Sequence, residues 1–506
     1  MNPTKRIFVN TIAQYAKSFI NICLSLYTVP VIMDALGKSD YGIYCLIAGI
    51  VAMLSFITNA MVITTQRHIS FYIGQGDAVY TRRIFSNSIL LHVTVGLLLL
   101  IVIIPFRDFF VAHLNIEDCR RPIAGVVYVM SVIMIVISFI TAPFKALLIA
   151  HENIVFISVV EVADGVIKLV MALLLLRINV DKLLIYSYMM TCVFAFEFIV
   201  FSLYSLSRYQ ECSPRHFIGD YNGRCLREIG GFAGWTTFSM GALMARSQGL
   251  AVLFNRFFDT LLNASYGIAT HLYSAISFVS SSVTNAMNPQ IMQAEGMNDR
   301  NRMLFLAEQE SKLLTILMSL AFIPLIIEMD DILNIWLHHD VPEYATLLCQ
   351  CLLWAFIADQ TTFGLHAANQ ATGRIGGYTL IMYIPKLLFI AVAWAMFRAN
   401  GSVRSVMVAY VLLEAVLALV RLPFMKRTAG LDVRHFMKDV YSKEMVLIAF
   451  LLLTGLLLDR FICCAADFVI VIILTVSIGA VLVWTVILTK VERDTIMKVA
   501  KLRGDR

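Results

Sequence analysis

Charged side chains are scarce in this sequence, and their scarcity decides the class of protein. Only 15% of the 506 residues are Asp, Glu, Lys or Arg, whereas 59% are hydrophobic. A soluble chain of this length needs a much larger polar share to cover its surface, so the composition excludes a soluble protein of several domains. The composition is typical of an integral membrane protein.

Polar breaks between the apolar segments are few and short. Segments long enough to cross a hydrocarbon core of about 30 Å, roughly 20 residues each, recur from Phe8 to Leu488. They predict an all-α polytopic membrane protein with about fourteen transmembrane helices and no separate soluble domain. The first apolar segment carries no small-residue cleavage pattern, so we interpret it as a retained helix and not as a signal peptide.

Motifs for nucleotide, metal or covalent chemistry are missing. No Walker motif, HExxH or nucleophile elbow occurs, and Gly230-Gly231-x-x-Gly234 opens a predicted helix with no strand before it. The pair Cys349-x-Cys351 lacks the second half of any zinc pattern. The sequence therefore predicts no cofactor, no metal ion and no enzyme activity.

The net charge of +6 raises the question of nucleic-acid binding, and the distribution of the charge answers it. With the N-terminus inside, the predicted cytoplasmic loops and tails hold roughly 25 Lys and Arg residues against about 10 outside. We therefore expect both termini in the cytoplasm and interpret the basic loops as orientation signals, with no nucleic-acid partner. The largest contributors are Arg82-Arg83, Arg208 to Arg227, Arg421 to Lys443, and Lys490 to Arg506.

An internal repeat divides the chain. The Tyr-Gly-Ile motif at 41–43 and the Thr-Asn-Ala-Met motif at 58–61 recur at 266–268 and 284–287, at offsets of 225 and 226 residues. Six predicted spans separate the copies, so the repeat is parallel, and two six-helix lobes would enclose a cavity that opens to one side at a time. The predicted domains are an N-lobe (1–206), a cytoplasmic inter-lobe linker (207–228), a C-lobe (229–427), and two further helices with a basic tail (428–506).

The first two predicted helices resemble those of a known family. The matching segments are NTIAQY at 10–15, DALGKSDYGIY at 34–44, TQRHIS at 65–70 and NQATGR at 369–374. Together they resemble polysaccharide transporters, the O-antigen and capsule flippases of bacteria. That family belongs to the superfamily of multidrug and toxic-compound extrusion (MATE) antiporters and lipid II flippases, which is called MOP.

The resemblance implies a substrate, a place and partners. It implies transport of an undecaprenyl-diphosphate-linked oligosaccharide from the inner to the outer leaflet of the bacterial cytoplasmic membrane, for lipopolysaccharide or other surface polysaccharide biosynthesis. The implied partners are this lipid-linked oligosaccharide, bilayer lipid, H⁺ or Na⁺ as coupling ion, and polysaccharide polymerase or other assembly proteins. The implied fold is a pair of MATE-like lobes followed by two C-terminal helices.

Ten charged residues fall within the predicted spans. A charge at the centre of such a helix costs about 2.5 to 3.5 kcal/mol on insertion scales, so these residues are candidates for function. The bases are Lys17, Lys145, Lys168, Arg246 and Lys386, and the acids are Glu161, Asp164, Glu197, Asp359 and Glu414. The two sets balance in number.

Lys17 and Arg246 lie mid-span in the first helix of each predicted lobe, where they are candidates to bind a diphosphate from two sides. A phosphate in apolar surroundings needs neutralisation, and Arg binds its oxygens in bidentate fashion. Lys386 and Lys168 are further candidates for the cavity. The alternative for Lys17 and Arg246 is a buried ion pair, for instance with Asp359 or Glu197.

Other charged residues have simpler interpretations. Lys168, Asp164 and Glu161 share one helical face and can pair within their own helix. Lys145 lies near a cytoplasmic helix end, to which we expect its ammonium group to extend.

Glu414, with Asp359 as second choice, is the candidate for ion coupling, because a carboxylate in low dielectric has a raised proton affinity.

Three other functions are compatible with a chain of many membrane spans. An ion-coupled multidrug antiporter of the MATE type is the main alternative, although such antiporters typically have twelve spans and acidic pockets for cationic drugs. A lipid-linked glycosyltransferase or polymerase needs a larger outside loop than Pro105 to Pro122 or Glu328 to Glu343. A channel or passive scaffold fits the two-lobe repeat less well than alternating access does.

Overall fold

The structure is a computed structural model that describes residues 3–52, 54–112, 116–212, 220–258, 260–337, 341–462, 467–490 and 492–493. All regular elements among these residues are helices. They are α1 (Pro3–Ala52), α2 (Ser55–Gln75), α3 (Ala78–Ile103), α4 (Arg107–Ala112), α5 (Arg121–Ala150), α6 (Ile154–Leu175), α7 (Lys182–Arg208), α8 (Gly223–Phe257), α9 (Thr260–Gly296), α10 (Arg300–Ile327), α11 (Met329–Trp336), α12 (Ala345–Gln360), α13 (Phe363–Thr372), α14 (Ile375–Arg398), α15 (Val403–Ala429), α16 (Val433–His435), α17 (Ser442–Phe461) and α18 (Asp467–Leu482).

Several helices are suited to a bilayer by length and composition. On α3, Leu97, Leu98, Ile101 and Val102 are each more than half exposed, which suits hydrocarbon and not water. Eight helical stretches among the described residues are long and apolar enough to span a membrane, and the count of about fourteen stays a prediction. The eight are Val9–Gly37, Ala78–Ala112, Arg121–Ala150, Lys182–Arg208, Arg300–Ile327, Ile375–Arg398, Val403–Ala429 and Phe468–Ile487.

Helix ends differ from the predicted spans near the N-terminus. The predicted first two helices join in α1, which kinks at Gly37, where a φ of +79° requires a residue without Cβ. The second predicted span, 41–65, is therefore divided between α1 and α2.

The tenth predicted span, 344–370, is also two helices, α12 and α13. At the break the Thr361 hydroxyl donates to the carbonyl of Ala358 at 2.8 Å, and the Thr362 hydroxyl donates to that of Ala418 at 3.2 Å. The Thr361 hydroxyl thus satisfies a carbonyl oxygen that the end of α12 leaves without a helical partner, while Thr362 links the break to α15.

Two helices in the two halves of the chain begin in the same way. Asp77 is the N-cap of α3 and accepts a hydrogen bond from the backbone N–H of Tyr80, while Asp299 caps α10 by accepting from that of Arg302. Each aspartate follows a residue of positive φ, Gly76 at +72° and Asn298 at +60°. These matching turns identify α3 and α10 as equivalent helices of the two halves, with Asp77 corresponding to Asp299.

The chain divides into two compact units. Unit 1 comprises Met1–Gly241 with Gly296–Asn298, and unit 2 comprises Ala242–Glu295 with Asp299–Arg506. The boundary between Gly241 and Ala242 lies within α8, and the predicted lobe boundaries at 206 and 229 stay a prediction.

Each unit has its own buried apolar core. In unit 1 one cluster surrounds Ile47 and Leu183, and another surrounds Phe85 and Leu147. In unit 2 the largest cluster joins α8, α9, α10, α12, α14, α15 and α17. Charged side chains on these helices are therefore surrounded by apolar material.

Candidate functional site

Three charged side chains meet in the interior of unit 2. Arg246 on α8 forms a short ion pair with Glu414 on α15, and Lys386 Nζ on α14 lies 2.7 Å from the other oxygen of the same carboxylate. All three are buried, with exposed fractions of 8% for Arg246, 3% for Glu414 and 5% for Lys386. One carboxylate is therefore shared by two bases from two different helices.

A second acid extends this group to the break between α12 and α13. Asp359 Oδ1 lies 2.5 Å from an Arg421 nitrogen and 3.9 Å from Lys386 Nζ. Arg421 Nη1 also donates to the backbone carbonyl of Asp359 at 2.9 Å and to the Thr362 hydroxyl at 3.2 Å. We call Arg246, Lys386, Arg421, Asp359 and Glu414 the unit 2 cluster.

Aromatic rings cover the bases of the unit 2 cluster. The Arg246 guanidinium carbon lies 4.5 Å from the centre of the Tyr410 ring, and Lys386 Nζ lies 5.8 Å from that of Tyr383. Ring faces attract cations and exclude water, so they stabilise the charges without neutralising them.

The unit 2 cluster has more bases than acids. Among the described residues, the acids that pair with Arg246, Lys386 and Arg421 are Asp359 and Glu414, so full ionisation leaves one positive charge in excess. Buried charge is tolerated only where it is paired or serves a function. The excess makes this cluster suited to an anion.

Unit 1 holds a second group of charges in its interior. Glu161 on α6 accepts hydrogen bonds from Lys17 on α1 at 2.6 Å and from Lys145 on α5 at 2.5 Å. Lys168 pairs with Asp164 one turn earlier on α6, at 2.7 Å. Together with Glu197 on α7, which interacts electrostatically with four of these residues, they form the unit 1 cluster.

The unit 1 cluster is balanced, with the bases Lys17, Lys145 and Lys168 against the acids Glu161, Asp164 and Glu197. The two clusters therefore differ in net charge when every group is ionised. This difference favours the unit 2 cluster as the anion site.

The structure brings together four of the residues that were predicted from the sequence as functional candidates. Arg246, Lys386, Asp359 and Glu414 all belong to the unit 2 cluster. Arg246 is indeed in a buried ion pair, but its partner is Glu414 and not Asp359 or Glu197. The two acids proposed for ion coupling each contact two bases.

The remaining nominated residues, Lys17 and Lys168, lie in unit 1. Lys168 makes the pair with Asp164 that helical spacing indicated. Lys17 is paired with Glu161, which is neither of the two partners suggested from the sequence.

Two interpretations of individual charges are wrong. Lys145 does not extend to a helix end, because its ammonium group is bound to Glu161. Glu161 pairs across helices with lysines on α1 and α5, and not within α6. Both errors arise because spacing along one helix does not reveal the charges on its neighbours.

Arg421 was missed as a member of the site. It was counted with a basic loop because it lies near the end of the predicted span, yet its exposed fraction is only 4%. A signal was present, because Arg421 follows Glu414 by two helical turns and therefore lies on the same face of α15. Among the described residues, no three His, Cys, Asp or Glu side chains are placed to hold a metal ion.

Comparisons with known proteins identify the fold. No protein-family model and no curated protein sequence matches the chain. Among solved structures, a multidrug resistance MATE transporter of the MOP superfamily in an outward-facing conformation is similar, with a TM-score of 0.71, 12% identity, and coverage of 87% of this chain and 97% of that one. A MATE protein in complex with MaD3S gives a TM-score of 0.70 at 13% identity, with coverage of 87% and 98%.

A third similar structure is a MOP superfamily transporter from Pyrococcus furiosus, with a TM-score of 0.69, 13% identity, and coverage of 87% of this chain and 97% of that one. The chain therefore has the all-helical fold of MATE transporters. Together with the eight long apolar stretches among the described residues, this fold supports a multi-pass membrane protein. The predicted MATE-like fold class is confirmed, while the resemblance to polysaccharide transporters in particular stays a prediction.

Proposed function

We propose that this protein is an alternating-access transporter that moves a lipid-linked oligosaccharide across a membrane. The substrate is a glycan on undecaprenyl diphosphate, carried from the inner to the outer leaflet of the bacterial cytoplasmic membrane for surface polysaccharide biosynthesis. Both termini lie in the cytoplasm, and polysaccharide polymerase or other assembly proteins act downstream. Transport by rocking of two lobes is the mode that the MATE-like fold suggests.

The observation that carries the proposal is the basic excess of the unit 2 cluster. Three buried bases face the buried Glu414 and the partly buried Asp359, and the bases are covered by aromatic rings. A cationic drug would add a positive charge to a site that already has one in excess, which is unfavourable in low dielectric. A diphosphate supplies the negative charge that the cluster lacks.

One similar structure supports this reasoning by analogy. The Pyrococcus furiosus transporter is described as having a binding pocket of reverse polarity, which suggests a different function for it within the MOP superfamily. By the same reasoning, the basic excess of the unit 2 cluster favours an anionic substrate over a cationic one.

Binding proceeds by exchange of partners. Arg246 and Lys386 are both held by Glu414, and an arriving phosphate competes with that carboxylate for them. Arg246 is suited to bidentate contact with phosphate oxygens, and Lys386 acts as a point charge. Lys17 and Lys168 of unit 1 are proposed as further contacts for the head group.

The same exchange provides ion coupling. A Glu414 carboxylate that loses its two bases in low dielectric gains proton affinity, so substrate binding promotes proton uptake. Asp359 remains held by Arg421 and is the second choice for this role. The coupling ion is proposed to be H⁺, with Na⁺ as the alternative.

Complementation tests the function directly. A bacterium deleted for the gene is complemented with wild type, Arg246→Gln or Arg246→Lys, and surface glycan and lipid-linked intermediates are measured at matched membrane expression. We expect Arg246→Gln to trap lipid-linked repeat units inside and to lower surface glycan at least tenfold, with partial rescue by Arg246→Lys because the charge is kept.

Arg121→Gln is the matched control, because Arg121 is exposed and pairs only with Asp118 on the surface. It should restore display as wild type does. If deletion leaves surface glycan unchanged while resistance to a cationic drug falls, the protein is a multidrug antiporter and the flippase proposal is wrong.

A further inference from the structure

One buried acid of unit 2 lies outside the cluster, and no base in the described part of the chain lies beside it. Glu310 on α10 is fully buried, with an exposed fraction of 0%. Neither of its carboxyl oxygens has a hydrogen-bond partner among the described residues. Its position therefore differs from those of Glu161 and Glu414, each of which contacts two bases.

The nearest surroundings of Glu310 are tight and almost apolar. The hydroxyl of Thr284 on α9 lies beside the carboxyl, without a hydrogen bond of ordinary geometry. On another side, α13 packs so closely that a Cβ added at Gly364 would lie 3.0 Å from Glu310 Cβ and 2.0 Å from the Ala307 carbonyl oxygen. The carboxyl thus lies between packed helices, and the polar group beside it is the Thr284 hydroxyl.

The ionisable groups of the packed helices are engaged elsewhere. No charged group among the described residues acts on Glu310. The groups concerned are Glu308, which faces His435; Lys312, which pairs with Glu492; Glu444, whose neighbours are Lys312 and Thr315; Asp359, which pairs with Arg421; and His366, which contacts Gln370. None of them neutralises the Glu310 carboxyl.

Electrostatics decides which form of this carboxyl is stable. An ionised carboxylate without a base or hydrogen-bond donor is costly to bury, and the group neutralises by binding a proton instead. A small metal cation needs several oxygen ligands, whereas the Thr284 hydroxyl is the one polar group among the described residues that acts on this carboxyl. The neutral acid is therefore the form that fits.

The fold does not require an acid at this position. The matching N-caps Asp77 and Asp299 place α3 and α10 in register, and Glu310 then corresponds to Ser88, which is also fully buried. Since a small neutral residue occupies the equivalent place in unit 1, a carboxyl is not a demand of helix packing. Its presence in unit 2 indicates a function.

A polar face on α9 runs from Glu310 toward the end of α12, where Asp359 of the unit 2 cluster lies. Ser280, Thr284 and Asn288 are spaced four residues apart and share one side of the helix. The Ser280 hydroxyl donates to Gln360 Oε1 at 2.6 Å, and Gln360 directly follows Asp359. Below it, Thr284 Oγ1 and Asn288 Oδ1 are buried polar atoms with no hydrogen-bond partner among the described residues.

We propose that Glu310 is a proton-binding site, which holds its proton while buried and exchanges it with water along the Ser280, Thr284 and Asn288 face of α9. The carboxylate accepts the proton to become a neutral acid, and deprotonation returns the proton to water and leaves a carboxylate. The use of this proton in transport rests on the proposed function, whereas the proton site itself does not.

Infrared difference spectroscopy tests the site on the full chain in lipid nanodiscs at neutral pH. The spectrum of Glu310→Gln is subtracted from that of wild type, and we expect the loss of one carbonyl-stretch band of a protonated carboxylic acid, which shifts in D₂O. Glu295→Gln is the matched control, because Glu295 is bound by Arg300 and should contribute only ionised carboxylate bands.

If Glu310→Gln does not yield folded protein, the same measurement is made on Thr284→Val. Removal of the hydroxyl beside the carboxyl should shift the protonated band without abolishing it. The proposal is overturned if Glu310→Gln removes ionised carboxylate bands instead, or if Na⁺ raises the melting temperature of wild type but not of Glu310→Gln. No glycan enters the measurement, so its failure and that of the flippase proposal are distinguishable.

Discussion

Replacement of Glu414 by Gln should destabilise unit 2 strongly. The change keeps the size of the side chain but removes the charge that both Arg246 and Lys386 share. Lys386 then retains Asp359 at 3.9 Å and the Tyr383 ring, and Arg246 retains the face of Tyr410. The charge excess of the unit 2 cluster rises from one to two.

The size of the effect follows from the burial of the two bases. Removing one member of a buried ion pair costs about 3 to 5 kcal/mol, since the remaining charge is left without compensation. The new amide oxygen still accepts one hydrogen bond from Arg246, which returns about 1 kcal/mol. We expect a net loss of about 2 to 4 kcal/mol in the free energy of unfolding.

A second substitution checks the cause. Thermal or denaturant unfolding of purified protein in nanodiscs should show recovery of part of the loss in the double variant Glu414→Gln/Lys386→Met, because one unpaired charge is removed. Lys386→Met alone should cost less than Glu414→Gln, since Arg246 keeps its partner. If Glu414→Gln stays within about 0.5 kcal/mol of wild type and Lys386→Met gives no recovery, the cluster does not hold these charges as described.

Two further predictions concern helix contacts away from the cluster. Gly364→Ala places a Cβ 2.0 Å from the Ala307 carbonyl oxygen, so α10 and α13 must separate, and we expect a loss of about 1 to 3 kcal/mol in unfolding experiments; an unchanged melting temperature would contradict this packing. Asp299→Ala removes the acceptor of the Arg302 N–H at the start of α10, and should cost about 1 kcal/mol and speed hydrogen exchange in the first turn. Asp299→Asn, which can still accept, should retain most of the protection, and equal exchange in both variants would argue against the cap.

Much of the fold was accessible from the sequence because apolar length is a direct consequence of bilayer thickness. The helical class was predicted correctly on that basis, and the MATE-like type was predicted correctly from the family resemblance. Near the N-terminus the polar segment around Gly37 was predicted to separate two helices, whereas the structure continues them as one kinked helix. The break between α12 and α13 was not predicted, because the hydropathy pattern continues across Thr361 and Thr362. Local backbone geometry, and not composition, interrupts the helix at that point.

The candidate site was predictable in its members but not in its pairings. Charges inside apolar helices identified Arg246, Lys386 and Glu414 without any knowledge of contacts. Which acid binds which base depends on how helices distant in sequence pack together, and Lys145 shows the resulting error. Glu310 was passed over for a related reason, since the predicted ninth span began at Leu313, after this acid.

Arg421 binds both the carboxylate and the backbone carbonyl of Asp359, and this combination restricts how the protein can evolve. The same guanidinium neutralises the Asp359 carboxylate and satisfies the Asp359 backbone carbonyl at the end of α12. A relative that loses this arginine must therefore repair both a charge and an open helix end in the same step. Arginine at this position should persist in related transporters even where their substrates diverge.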